Sequence, residues 1–307
     1  MSSRPRAAII LAAGHGKRMK SAMAKPLHAI AGRSMLDWSL ALADAVKADR
    51  KVVVWGAHAP EVKTQAEAAG AETAVQDPPQ GTGHAVQQAQ DALSGFEGDV
   101  IVLYADTPLI QPETVERVFE ALKEGAAVSV LGFEPDTPGG YGRLIENAEG
   151  GLEAIVEAKD ASADELKVRL CNSGVLAMPA KLMFELLGEV TNENASGEYY
   201  LTDLVGLARG RGLPAKAVKA DADEVLGVNS RVDLADAEAA FQARARHSAM
   251  VEGVTLIAPE TVFFSHDTMI ENDVVVEPHV VFGPGVVVKS GARIRAYSHL
   301  EGAEVHG

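Results

Sequence analysis

Two glycines and three cations lie close together near the start of the chain. Gly14 and Gly16 fall in the run Ala12-Ala13-Gly14-His15-Gly16-Lys17-Arg18-Met19, and Lys25-Pro26 follows a few residues on. Glycines let main-chain N–H groups approach an anion closely, and Lys17, Arg18 and Lys25 bring positive charge to the same corner. The chemistry this fits is phosphate binding, and with it nucleoside triphosphates. A second candidate is Asp106, placed after the apolar run 100–104, where a carboxylate could hold a hard cation such as Mg²⁺ against phosphates. The same aspartate could instead cap the next helix. A third is the stretch Gln76-Asp77-Pro78-Pro79-Gln80-Gly81-Thr82-Gly83-His84-Ala85. Gln76 and Thr82 could read a base edge, and Gly81 and Gly83 would admit a flat ring, although an ordinary βα turn uses the same residues. His84 reads as a packed or capping histidine.

These groups act together only if the fold gathers them. Hydropathy patterning predicts strands over residues 7–11, 51–55, 100–104, 127–133, 174–178 and 215–219, and helices over 35–48, 60–69, 83–93, 112–123, 180–187 and 201–208. Such alternation is the signature of an α/β domain with a mostly parallel sheet, and a Rossmann-like topology follows. The glycine loop and Asp106 then both sit at the carboxyl edge of the strands, where open sheets bind ligands. Met19 stands where a dinucleotide fold places its third glycine, and Gly-Lys-[Ser/Thr] is absent, which disfavours a dehydrogenase and a P-loop kinase. A Gly-x-Gly after a strand also occurs in doubly wound proteins that bind no nucleotide.

The 307 residues suffice for two domains, and 43 acidic against 28 basic residues give a formal charge of −15. That balance argues against a broad nucleic-acid or anionic-membrane surface, so cations beside the glycine loop are local features. Cys171 is the sole cysteine, which excludes an intrachain disulfide and a thiolate metal site and fits a reducing cytoplasm. No segment is long and apolar enough to span a membrane, and the basic start runs into the glycine loop, unlike a signal peptide.

Residues 1–230 therefore read as one domain, and 231–250, rich in strong helix formers, as a linker helix. From 251 to 307 the pattern changes. Ile270, Val276, Phe282, Val288, Ile294 and Leu300 recur every six residues, and Val274, Val280, Val286, Ala292 and Ser298 recur four further on. Hexads of this kind indicate a parallel β-helix, whereas a small antiparallel sheet would alternate with period two. Ile257 and Phe263 are expected to extend the interior register, with a one-residue slip before Ile270. His306 stands where the next aliphatic residue is due, and an uncapped solenoid exposes a sheet edge, so the chain reads as the front part of a longer protein.

Set in order, the motifs become more specific. Leu11–Met19, Lys25-Pro26, Gln76, Gly81-Thr82-Gly83-His84-Ala85 and Tyr104-Ala105-Asp106 resemble the N-acetylglucosamine-1-phosphate uridylyltransferase half of the bifunctional bacterial enzyme that makes UDP-N-acetylglucosamine. Gly140-Tyr141-Gly142-Arg143, Ile155–Asp160, Asn172-Ser173-Gly174, Gly197–Asp203 and Gly227–Arg231 continue the resemblance. It implies a nucleotidyltransferase domain followed by a helical linker and a truncated left-handed parallel β-helix. Leu11, Ala12, Ala13 and Gly14, with Gln76, Gly81 and Thr82, would hold the uridine. Arg18 and Lys25 would contact phosphates as the catalytic cations. Asp106 and Asn229 would hold Mg²⁺. Gly142, Glu157 and Asn172 would bind the amino-sugar phosphate, with Tyr104 and Ala105 lining the pocket beside Asp106. The chain departs from the family pattern at Ala105, often Gly, at Pro26, often Val, and at Pro78-Pro79, which stiffens the base loop.

Each residue also has a plainer reading: Glu157 as a charge in a solvated loop, Asn172 as a turn residue, Asn229 as a helix cap, and Glu198-Tyr199-Tyr200 as packing. The implied reaction transfers UMP from UTP to N-acetylglucosamine 1-phosphate, supplying peptidoglycan and lipopolysaccharide precursors. Another sugar-phosphate nucleotidyltransferase, or a trimeric scaffold that merely binds nucleotide, are the rival readings. The resemblance also implies a homotrimeric parent with glucosamine-1-phosphate acetyltransferase activity in later coils, a site with no counterpart before residue 307.

Overall fold

The computed structural model describes residues 4–307. Its contacts divide the chain into two compact units: residues up to Leu27 together with Leu36–Gly227, and His28–Met35 together with Val228–Gly307.

The first unit is built on a nine-stranded sheet. Its strands are β1 Arg6–Ala12, β2 Arg50–Gly56, β3 Glu72–Gln76, β4 Asp99–Tyr104, β5 Val128–Phe133, β6 Arg143–Glu146, β7 Leu152–Val156, β8 Cys171–Pro179 and β9 Ala215–Lys219. The main order is β9-β5-β8-β4-β1-β2-β3, with the β6–β7 hairpin joined to β8. Pairings among β1 to β4, and of β5 with β9, are parallel, while β8 runs antiparallel to both β4 and β5. The α/β class with a mostly parallel sheet is thus the fold of this unit. Strand β1 is apolar on both faces because helices cover both. Ala7, Ile9 and Leu11 face a core shared with α3 (Thr82–Gln87), α5 (Ala180–Leu187) and α6 (Asp203–Gly210). Ala8, Ile10 and Ala12 face the other core, with α1 (Met35–Ala45), α2 (Pro60–Ala68) and α4 (Pro112–Lys123).

Strand order fixes where a ligand can go. From β1 the chain first adds β2 and β3 on one side, then returns to place β4 on the other. The carboxyl ends of β1 and β4 flank that switch point, the crevice where open sheets bind ligands. Leu11 is in register with Tyr104, and the Ala105 N–H donates to the Leu11 carbonyl at 3.0 Å.

Several boundaries differ from the sequence expectation. The helix expected over 83–93 is regular only through Gln87; beyond it Gln88, Ala89 and Gln90 donate three residues back and the chain tightens into turns. Strands β6 and β7 were not anticipated.

In the second unit, helix α7 (Arg231–Val251) starts at Ser230, whose side chain accepts from the Asp233 N–H while Asp233 caps in return. Ser230 rather than Asn229 is therefore the cap. Residues from Thr255 onward form two-residue strands paired in parallel, Val275 with Arg293, Met269 with Val287 and Val281 with His299, each partner three hexads on. Val276, Phe282, Val288 and Ile294 are buried, as are Val274, Val280, Val286 and Ala292. The start of the repeat is out of phase with expectation. Ile257 is 54% exposed and Phe263 44%, whereas Leu256 (7%), Val262 and Phe264 are buried. Leu256 pairs with Val276 across a stretch two residues longer than three hexads, and the 3₁₀ turn Pro259–Thr261 lies in that stretch. At the other end Val305, not His306, takes the ladder position opposite Val288.

Candidate active site

A cavity of about 280 Å³ opens at the switch point, wholly within the first unit. Its wall comprises Leu11 to His15 from the end of β1, Lys25 and Pro26, Gln76 and Pro79 to Thr82 (Gln80 apart), and Tyr104 to Asp106 from the end of β4. Ala85 and Glu198 complete it. Three stretches far apart in the chain are brought together here, and they are the three from which phosphate, base and metal binding were expected.

The glycine loop turns back on itself through a short 3₁₀ turn, Lys17–Met19, whose apolar Met19 is buried. Gly16 enters that turn at φ 57, and a Cβ there would lie 2.6 Å from Lys25 Cβ. Only glycine allows both the left-handed conformation and the lysine beside it. Lys25 then reaches across the cavity wall, and its Nζ donates to Asp106 Oδ2 at 2.5 Å. The two side chains are 11% and 25% exposed, so the pair is half-screened from water and poised at the surface a ligand would touch. Asp106 does not cap a helix, because α4 begins at Pro112 with Gln111 as its N-cap. Arg18 is exposed and stands outside the cavity wall.

On the opposite wall the base loop is tied to residues 199–201. Gly83 N–H donates to the Tyr199 carbonyl at 2.8 Å and Tyr199 N–H to the Gln80 carbonyl at 2.9 Å. Thr82 Oγ1 accepts from Leu201 N–H at 3.1 Å. Gly81 adopts φ 110, ψ 174, and a Cβ would lie 2.5 Å from the Tyr199 carbonyl oxygen. Gln76, buried, spends its amide N–H on the Gly81 carbonyl at 2.9 Å and on His84 Nδ1 at 3.1 Å. Gln76 and Thr82 thus shape the loop as well as line the cavity. Burial holds the His84 imidazole below its ordinary pKa.

Tyr104 lines the same cavity. Burial, then the negative charges of Asp106 and Glu157, push its hydroxyl well above the usual phenol range. A second cavity, about 240 Å³, is lined by Glu157, Asp160, Tyr200, Thr202 and Asp203 among others. Glu157 accepts from Thr202 Oγ1 at 3.2 Å, and burial followed by the charges of Asp160 and Asp203 raises its pKa. The solvated-loop reading of Glu157 therefore fails. Asn172 N–H donates to the Gly142 carbonyl at 2.8 Å, and its Oδ1 accepts from Gly174 N–H at 2.9 Å. Gly142, Glu157 and Asn172 lie outside the first cavity wall. Asn229 belongs to the second unit, where its N–H donates to Asp233 Oδ2 at 2.9 Å.

Sequence reasoning did not single out His15, Pro79, Ala85 or Glu198 as wall residues. Nor did it see that the imidazole of His15 stacks on that of His58, ring centroids 4.0 Å apart, from the turn after β2. The signal for Glu198 was present in the motif Gly197–Asp203, which carries part of the family resemblance and has packing as its plainer reading.

Residues 8–171, more than half of the chain, match the family model of the MobA-like NTP transferase domain. Beyond that domain, the chain is 51% identical to the bifunctional protein GlmU of Azorhizobium caulinodans over 99% of its own length and 68% of the relative's. The chain belongs to the GlmU family. The GlmU protein of Maricaulis maris is 67% identical over 87% of this chain and 59% of its own length, and that of Hyphomonas neptunium 54% identical over 98% and 66%. This chain thus spans about six-tenths to two-thirds of the GlmU relatives it matches. The crystal structure of UDP-glucose pyrophosphorylase complexed with UDP-glucose shares its fold, with a TM-score of 0.61 over 78% of this chain and 99% of that one, at 18% identity.

Proposed function

We propose that the chain is an N-acetylglucosamine-1-phosphate uridylyltransferase, making UDP-N-acetylglucosamine and pyrophosphate from UTP and N-acetylglucosamine 1-phosphate. The observation that carries this is the cavity at the switch point, where the glycine loop, the Lys25–Asp106 pair and the glycine-rich base loop share one wall. A phosphate oxygen of the sugar phosphate attacks the α-phosphorus of UTP, the new P–O bond forms, and the bond to the β-phosphate bridging oxygen breaks to release pyrophosphate. The nucleophile is already an anion, so no general base is required. The work is bringing two polyanions into line.

In this reading Leu11 to Gly14, Gln76, Gly81 and Thr82 hold the uridine nucleotide, and Lys25 with Arg18 neutralises phosphate charge. Tyr104, Ala105, Gly142, Glu157, Asn172 and Asn229 receive the amino-sugar phosphate. A divalent cation fits the donor set. Asp106 is a part-exposed carboxylate on the cavity wall, and Mg²⁺ favours one or two such oxygens with substrate phosphates completing its shell. Asp106, with Asn229 assigned by family resemblance alone, would hold Mg²⁺, which when bound neutralises and orients phosphate oxygens. Residues 1–230 then form the catalytic domain and 231–250 a linker. The short parallel ladders of 251–307, with their buried hexad positions, support reading that part as the first coils of a left-handed β-helix. In the longer relatives, such coils would carry the acetyltransferase and trimer contacts.

The test is pyrophosphate release with Mg²⁺, UTP and N-acetylglucosamine 1-phosphate, compared across CTP, dTTP and other sugar 1-phosphates. Release fastest with UTP and the N-acetylated sugar is expected, and no release with that pair would overturn the proposal.

A further inference from the structure

Arg143 is a buried charged residue that the proposed reaction leaves unused. It lies on β6 with 3% of its surface exposed. Among the described residues it has no carboxylate at ion-pairing distance, and its Nε has no hydrogen-bond partner. A buried guanidinium without a counter-charge is costly, so whatever its two terminal nitrogens hold must matter. One donates to the Tyr141 carbonyl and the other to the Gly139 carbonyl, the latter at 3.2 Å. Both acceptors are main-chain oxygens of the loop that leads directly into Gly142. The Tyr141 ring in turn packs edge-on against Phe133, centroids 4.9 Å apart. From the other side, the Gly142 carbonyl accepts the Asn172 N–H.

We infer that Arg143 is a positioning residue for the sugar-phosphate side of the site: its guanidinium fork clamps carbonyls 139 and 141 and thereby fixes the Gly142 main chain and the Asn172 backbone bonded to it. The inference rests on the proposed uridylyltransferase reading for what Gly142 and Asn172 bind. Arginine suits the task because its planar fork spans two acceptors at fixed geometry, which a lysine head cannot. Arg143 touches the loop and need not touch substrate.

The experiment compares Arg143→Met, Arg143→Gln and Arg143→Lys with the wild-type chain by steady-state pyrophosphate release and by hydrogen exchange of peptides covering 139–142 and 11–25. The expected result is a KM for N-acetylglucosamine 1-phosphate raised tenfold or more, a KM for UTP changed less than twofold, and faster exchange confined to 139–142. Arg143→Lys should rescue little. A wild-type sugar-phosphate KM in a folded Met variant overturns the inference. Equal changes in both KM values, exchange loosened throughout, or failure of all three variants to fold also overturn it, because they show a general structural role. If the wild-type chain itself lacks the activity, the uridylyltransferase reading falls, while exchange at 139–142 still decides whether Arg143 clamps the loop.

Discussion

Gly81→Ala should separate the base loop from the segment that holds it. In the native fold two main-chain bonds, Gly83 N–H to Tyr199 and Tyr199 N–H to Gln80, close the loop. At about 1 kcal/mol each, they favour the closed form by roughly 30 to 1. An alanine at φ 110, ψ 174 occupies a region that glycine alone visits freely, at a cost of about 1–3 kcal/mol. Its Cβ would also lie 2.5 Å from the Tyr199 carbonyl oxygen, a main-chain atom that can move only by opening the pairing. Strain and the lost bond together cost about 2–4 kcal/mol, which brings the ratio to between about 1 to 1 and 1 to 30 and raises the apparent KM for UTP by about two- to thirtyfold. KM is measured by pyrophosphate release at saturating sugar phosphate, with urea unfolding in parallel. Gly150→Ala is the control, since Gly150 has φ 79 but nothing within 4 Å of a Cβ: it should cost about 1 kcal/mol of stability and leave KM alone. A Gly81→Ala enzyme with KM for UTP within twofold of wild type would refute the reasoning.

Lys25→Ala or Arg18→Ala should each lower turnover by about a hundredfold, the scale of one oriented electrostatic contact; wild-type turnover in both would remove their assigned roles. Arg18 is the sharper case, because it must move from an exposed position to reach a phosphate. Asp106→Ala should blunt the dependence of rate on Mg²⁺ concentration, and an unchanged titration would make Asp106 structural. Glu157→Gln should stabilise the fold at neutral pH while weakening sugar-phosphate binding. Because burial raises the Glu157 pKa above its unfolded value, its neutral form is favoured in the fold. Any stability it confers is complete below about pH 4 and lost as pH rises through the folded pKa. The variant's advantage in urea should therefore vanish on acidification, and persistence at low pH would contradict this. Leu256→Ala should cost about 2–5 kcal/mol and Ile257→Ala under about 1, reversing the order expected from the hexad count.

What was legible in the sequence were features that depend on neighbours along the chain. Strand β1 is an unbroken apolar run ending in glycines, so its position, its burial on both faces and the loop after it could all be read directly. Asp106 was placed for the same reason, at the end of another such run. The hairpin of β6 and β7 was not legible, since Arg143 and Glu146 interrupt the apolar pattern, and the buried arginine donates to carbonyls of the loop before it rather than to a nearby carboxylate. Leu256 and Ile257 stand side by side with equal hydrophobicity, and only the extra residues around Pro259–Thr261 decide which one points inward. Tyr199 reaches the base loop through main-chain bonds, which leave no mark in side-chain composition. Family resemblance supplied the expected roles of Glu157 and Asn172 where pattern could not.

The division of the chain into units also has a consequence in time. Residues 28–35 belong with the second unit, and the Ala31 N–H finds its acceptor on Glu238, 207 residues further along the chain. At ordinary synthesis rates of about 5–20 residues per second, that acceptor emerges roughly 10–40 s after Ala31. The segment that follows directly on Lys25 and Pro26 is therefore among the first residues to be made and among the last to be secured.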